Sequence, residues 1–137
     1  MKIQEADYGE VLKLRQEVLY PLENIELAKV EDDDKGIHLG VFVDDTLVSC
    51  VSIYLKDRCL QFRKMATKAD YRNRGYATEL IKYIVEYHKS FEFDKLWANA
   101  RREALPFYEK LGFNQTDDTF TKNGREYVVV EYAVSAE

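Results

Sequence analysis

The stretch Met65-Ala66-Thr67-Lys68-Ala69-Asp70-Tyr71-Arg72-Asn73-Arg74-Gly75-Tyr76-Ala77-Thr78 holds the residues most suited to chemistry in this sequence. Its pattern is the end of a strand, a charged turn, and the start of an amphipathic helix. A helix start presents backbone N–H groups without internal partners and the positive end of the helix dipole, which together favour an anion such as a pyrophosphate. Gly75 lets the main chain approach a ligand closely, and Ala77 keeps the path clear. Arg72 and Arg74 add positive charge, and a guanidinium grips phosphate through two parallel hydrogen bonds. Taken alone, R-x-x-G-x-A also describes an ordinary helix start with solvated arginines. The balance changes because Ala104-Leu105-Pro106-Phe107-Tyr108-Glu109-Lys110-Leu111-Gly112-Phe113 follows about thirty residues later.

Other reactive side chains are sparse. His38 titrates in the right range for a general base, although a lone histidine also serves as a hydrogen-bonded structural residue. Gln61 and Arg63 alternate along one strand face and, with Glu17, are candidates to face a substrate cleft. The run Glu31-Asp32-Asp33-Asp34 offers attraction for a cationic amine, and equally reads as a solvated turn. Cys50 and Cys59 lack a recognisable His partner and are expected to pack within neighbouring strands, reduced rather than joined. With only His38 and His88 besides, no metal site is expected.

These residues need elements to place them. Ile3 opens a short strand, and Asp7 with Glu10 forms a capping box for a helix carrying Val11, Leu14 and Val18 on one face, ending near Tyr20-Pro21. Residues 22–37 are weakly patterned and predict a short helix followed by a solvated turn. Strands over 38–43, 47–55 and 60–67, joined by polar turns at Asp44-Asp45 and Lys56-Asp57-Arg58, make an antiparallel meander. After a loop over 68–74, Ala77, Leu80, Ile81, Ile84, Val85 and His88 keep helical spacing. Leu96-Trp97-Ala98 is a brief buried strand. A helix around Ala104, Phe107, Tyr108 and Leu111 follows, with Pro106 in its first turn and Gly112 closing it. Strands over 113–121 and 126–134 flank the hairpin dipeptide Asn123-Gly124.

Composition bounds the rest. The 137 residues suit one domain, spanning residues 1–137, and are too few to divide comfortably into two. Hydrophobic residues at 46% and charged residues at 33% are ordinary for a globular chain. A formal charge of -5 and a pI near 5.2 disfavour nucleic acid and membrane partners. No apolar run approaches the roughly 20 residues that span a bilayer, and Met1-Lys2-Ile3-Gln4-Glu5 does not start a signal peptide, so a cytoplasmic location is expected.

Across nearly its whole length the chain resembles the GNAT superfamily of N-acetyltransferases, and within it a branch of small bacterial members. Arg72, Gly75 and Ala77 occupy the defining positions of the family's pyrophosphate motif, and Ala104 to Phe113 is similar to its A-x-x-x-Y-E-K-x-G-F helix, with Tyr108 at the tyrosine position. The resemblance implies an α/β fold: a mixed, mostly antiparallel sheet of six to seven strands flanked by about four helices. That sheet is splayed between the strand ending at Thr67 and the strand from Leu96 to Asn99. Acetyl-coenzyme A would lie in the gap, its pantetheine arm paired with the backbone of Met65, Ala66 and Thr67. Its pyrophosphate would rest on the N–H groups around Arg72, Asn73, Arg74, Gly75, Tyr76, Ala77 and Thr78. Many relatives carry Asn at the site of Arg101, whereas here Asn99 stands two residues earlier, as a displaced candidate for the same contact.

The implied reaction is direct attack of a neutral amine on the thioester in a ternary complex. It needs a deprotonated amine, a donor for the oxyanion and a proton for the sulfur. The resemblance assigns Tyr108 as acid; a backbone N–H near Met65 or Ala66 is the candidate oxyanion donor, and His38 is a candidate base. Expected partners are a small-molecule or peptide amine and, through the terminal strands, a second copy in a homodimer. The rival readings are transfer of a longer acyl group and a noncatalytic module that keeps the coenzyme A cleft as a sensor or interaction surface.

Overall fold

The computed structural model describes residues 1–91 and 93–132. Strands β1 (Lys2–Glu5), β2 (Ile37–Val43), β3 (Thr46–Lys56), β4 (Cys59–Thr67), β5 (Lys95–Arg101), β6 (Phe113–Lys122) and β7 (Arg125–Tyr132) build one sheet in the order β1-β2-β3-β4-β5-β7-β6. Every neighbouring pair is antiparallel except β4 and β5. A parallel neighbour demands a crossover, and helix α2 (Tyr76–Ser90) supplies it. Helices α1 (Tyr8–Leu19) and α3 (Leu105–Lys110) complete the layers. The last two residues of the strand expected over 126–134 lie outside the described residues.

Local chemistry accounts for most boundaries. The Asp7 carboxylate accepts a hydrogen bond from the Glu10 N–H at 3.2 Å, capping α1. The hairpins turn on Asp44-Asp45 (φ 49° and 66°), Asp57-Arg58 (φ 51° and 63°) and Asn123-Gly124 (φ 53° and 76°). Paired left-handed residues of this kind match the twist of the strands they join. Pro106 sits in the first turn of α3, and Gly112, at φ 97°, ends it. Cys50 and Cys59 are free thiols on adjacent strands, at opposite ends of the β3–β4 ladder.

Two apolar clusters show the layering. Leu60, Phe62, Leu80, Ile84, Tyr108 and Phe113 belong to the larger one, between the sheet and α2 and α3. Val11 and Leu14 of α1 pack with Leu47, Cys50 and Ala66 on the other face. Among the described residues no helix is long and apolar enough to cross a membrane.

The chain departs from expectation between α1 and β2. In place of a fourth α-helix there are two 3₁₀ turns, Ile25–Ala28 and Asp33–Lys35. Nor is the acidic run wholly solvated, because Asp33 is only 7% exposed. It turns inward to Arg15, which is fully buried on α1 and needs a counter-charge. Arg15 Nη1 and Nη2 donate to the two Asp33 carboxylate oxygens at 2.8 and 3.0 Å. They also donate to the Ala28 carbonyl and the Ser52 hydroxyl, each at 2.8 Å. The hydroxyls of Tyr8 and Tyr54 donate to Asp33 at 2.5 Å, and the Val30 N–H donates at 2.9 Å. A loop with little apolar surface is thus fastened to the sheet by a polar clasp.

Burial by itself would raise the Asp33 pKa, but the hydrogen bonds from Arg15, Tyr54 and Tyr8 hold it well below the usual carboxylate range. The folded value lies below the unfolded one, so this contribution to stability is complete above about pH 4 and is lost as pH falls toward the folded value. Asp33→Asn is expected to cost about 3–5 kcal/mol in urea unfolding at neutral pH, because it strands a buried guanidinium. The variant's stability should also fall less than the parent's between pH 4 and pH 2.

Candidate functional site

Strands β4 and β5 pair over only three positions, Cys59↔Lys95, Leu60↔Leu96 and Gln61↔Trp97, and then part. Beyond that point β4 stays with β3 and β5 stays with β7. Alternate main-chain N–H and C=O groups on each lip of the gap therefore have no strand partner across it. Such groups are costly unless water or a ligand satisfies them, so the gap is a binding element by construction.

A bulge tunes the β4 lip. Cys50 pairs with Ala66 and Ser52 with Arg63, so Val51 faces two residues, Lys64 and Met65. Lys64 takes the left-handed conformation, at φ 56°, to absorb the extra residue. The alternation of faces slips by one: Phe62 and Met65 both point to the α2 and α3 side, while Gln61, Arg63 and Ala66 take the α1 side. A strict alternation read from sequence places Met65 on the wrong face, and nothing in Arg63-Lys64-Met65 signals the bulge.

Tyr108 stands at the apex of the gap. The residue is 8% exposed, and its ring lies 6.0 Å from Phe62, 5.8 Å from Phe113 and 5.1 Å from Phe107, centroid to centroid. Met65 packs against the same cluster. Burial pushes the Tyr108 pKa up to about 12, so the phenol holds its proton throughout the neutral range. Its hydroxyl has no hydrogen-bond partner among the described residues.

The turn before α2 opens to solvent. Arg72, Asn73, Arg74 and Gly75 are exposed, with Asn73 at φ 62° and Gly75 at φ 87°. Arg72 Nε donates to the Thr67 carbonyl at 3.4 Å, and the Arg74 guanidinium lies 5.3 Å from the Tyr71 ring centroid. No side chain caps α2, so the N–H groups of Tyr76, Ala77 and Thr78 face the turn without a protein side-chain acceptor.

The remaining candidates are dispersed. His38 pairs with Ser52 on β3, two strands from the gap. Both its ring nitrogens are engaged, with the Ser52 hydroxyl at 2.6 Å and the Asp33 carbonyl at 2.9 Å, so it belongs to the clasp. Asn99 is exposed on the α1 face of β5, whereas Ala98 and Ala100 face the larger core. Glu17 is 3.9 Å from Lys68. Burial pushes the Cys50 thiol up to about 12, which leaves it un-ionised.

Comparison with known proteins gives this geometry its family. The pattern described as Acetyltransferase (GNAT) family matches residues 2–113. The chain belongs to the acetyltransferase (GNAT) family. The uncharacterized N-acetyltransferase YitI of Bacillus subtilis (strain 168) is 28% identical over 141 residues, covering 96% of this chain and 95% of that one. A crystal structure of a protein from Lactobacillus plantarum superposes with a TM-score of 0.84 at 19% identity, covering 96% of both chains. A GNAT family acetyltransferase from Elizabethkingia anophelis, solved with acetyl-CoA bound, superposes with a TM-score of 0.77 at 18% identity, covering 97% of both chains.

Like its family, this acetyltransferase draws on acetyl-coenzyme A, and its residues fit that cosubstrate. The uncapped start of α2 suits a pyrophosphate, and the unpaired lip of β4 suits an extended arm bearing amides. Gly75 tests the first of these. A Cβ there would meet nothing within 4 Å, so the penalty for Gly75→Ala is the left-handed backbone alone. Chemical unfolding should register a loss of about 1–2 kcal/mol, and calorimetry should register weaker uptake of coenzyme A.

Proposed function

We propose that residues 1–137 act as one catalytic unit that moves the acetyl group of acetyl-coenzyme A directly to an amine while both are bound. The observation that carries this reading is the parting of β4 from β5 after Gln61↔Trp97, with the buried Tyr108 phenol at its apex. Main-chain groups of Met65, Ala66 and Thr67 hold the pantetheine arm. Main-chain N–H groups over residues 74–78, with Arg72 and Arg74 beside them, hold the pyrophosphate, and Asn73 shapes the turn through its left-handed backbone.

The chain's own residues then have defined tasks. The apolar wall of Phe62, Phe113 and Tyr108 excludes water from one side of the reacting carbon. A main-chain N–H at Met65 steadies the negative charge that develops on the acetyl oxygen as the amine nitrogen bonds to the carbon. Tyr108 gives its proton to the sulfur as the carbon–sulfur bond breaks. The displaced amine proton passes to water in the open mouth, because both nitrogens of His38 are committed elsewhere. Burial keeps the phenol fully protonated at neutral pH, and once ionised it recovers a proton readily.

Incubation with acetyl-coenzyme A and a panel of amines, read by mass spectrometry and by release of free thiol, identifies an acceptor. With that acceptor, Tyr108→Phe should lower kcat by about 10²-fold or more, with coenzyme A affinity and the urea midpoint unchanged. Undiminished turnover in the variant removes Tyr108 from the mechanism. Uptake of acetyl-coenzyme A with neither thiol release nor an acetylated amine favours a noncatalytic binding module, and absence of uptake removes both readings.

A further inference from the structure

The mouth of the gap on the α1 face is basic, although the chain carries 25 Asp and Glu against 20 Lys and Arg. Register fixes which side chains surround it. Arg63 pairs with Ser52, whose hydroxyl holds Arg15 of α1, so Arg63 lies on the α1 face. Trp97 pairs with Gln61 and alternates with Asn99 and Arg101, so Arg101 stands on the same face at the opposite lip. Lys64 leaves the bulge toward the end of α1, where its Nζ donates to the Tyr20 hydroxyl at 2.5 Å.

Among the described residues none of these three cations has a carboxylate within ion-pair distance. Cations at the other sheet margins do: Lys95 lies 2.8 Å from Glu131 and Arg102 2.9 Å from Glu126. Arg63 is half-buried and lies 6.0 Å from the Tyr54 ring centroid, and half-buried Lys64 lies 5.1 Å from that of Tyr20. Taking a charge half out of water without a counter-charge is unfavourable, and an aromatic face offsets only part of it. An incoming anion supplies the rest. Arginine on both lips suits a flat oxyanion, which a guanidinium binds through two parallel hydrogen bonds.

We infer that the acceptor is an amine that also carries an oxyanion, a carboxylate or a phosphate, held between Arg63 and Arg101 with its nitrogen toward the gap. The inference rests on the direct transfer proposed above and adds the class of acceptor. The same charges repel a polycationic amine, so the specificity has an attractive and a repulsive component.

The test uses the full chain saturated with coenzyme A, which blocks turnover. Arginine Nε–Hε resonances are followed by NMR during titration with β-alanine, β-alaninamide, phosphoethanolamine, ethanolamine and spermidine. Arg63 and Arg101 should shift saturably with β-alanine or with phosphoethanolamine, at least about tenfold more tightly than with the matched neutral-tailed amine. Whichever of the two binds tells carboxylate from phosphate, and spermidine should give no saturable shift. Arg63→Gln should abolish the preference and Arg63→Lys should restore part of it, each with coenzyme A affinity intact. In turnover, the loss in Arg63→Gln should fall on KM more than on kcat. Equal binding of matched pairs, no saturable shift with either anionic amine, a preference for spermidine, or a preference that survives Arg63→Gln overturns the inference. Failure of coenzyme A itself to bind would instead overturn the proposed function.

Discussion

A sheet that opens between two strands leaves main-chain donors and acceptors facing one another without reach, and the rest of this structure is arranged around that opening. The β4 and β5 strands touch over three residues and diverge because each is committed elsewhere, β4 to β3 and β5 to β7. On one face the rings of Phe62, Tyr108 and Phe113, with centroids 5.7–6.0 Å apart, fill the apex and stabilise the wedge by burial. On the β4 lip the bulge at Lys64 bends the strand and re-aims Met65, Ala66 and Thr67. The start of α2 lies at the open end because the crossover must leave from the end of β4. The exposed turn before α2, the unpaired lip and the buried phenol are consequences of one topological choice.

The two faces of the gap have different chemistry. The face under α2 and α3 is apolar and keeps Tyr108 neutral by withholding water. The face under α1 is polar, with Gln61, Arg63, Asn99 and Arg101 in register around the mouth. In the proposed reaction a cosubstrate held on the first face and an amine on the second would meet through the gap.

The loop from α1 to β2 borders the polar side and lacks the apolar stripe that would pack it as a helix. Its position comes from Arg15 and Asp33, which are joined through both carboxylate oxygens and surrounded by donors from Tyr8, Tyr54 and Val30. A buried ion pair of this kind contributes little net stability over an apolar pair. It does fix where the loop sits, because the carboxylate has one geometry that satisfies all its donors. His38 is drawn into the same network, its two ring nitrogens held by Ser52 and the Asp33 carbonyl and its ring 5.0 Å from that of Tyr8.

Features whose causes lie within a few residues were legible in the sequence: the Asp7 cap, the polar hairpin turns, Gly75 before α2, Pro106 and Gly112 around α3, and the strand-turn-helix from β4 to α2. Each depends on the conformational preference of one residue or on a hydrogen bond to a near neighbour. Tertiary structure decided the length of the gap, the slip at Lys64, the inward turn of Asp33 out of an acidic run, and the capture of His38 by Ser52. These depend on partners far along the chain, Arg15 with Asp33 and Ser52, Ser52 with Arg63, Gln61 with Trp97. A side chain carries no local mark of the charge it will be buried beside, and a strand carries none of the point at which its neighbour turns away.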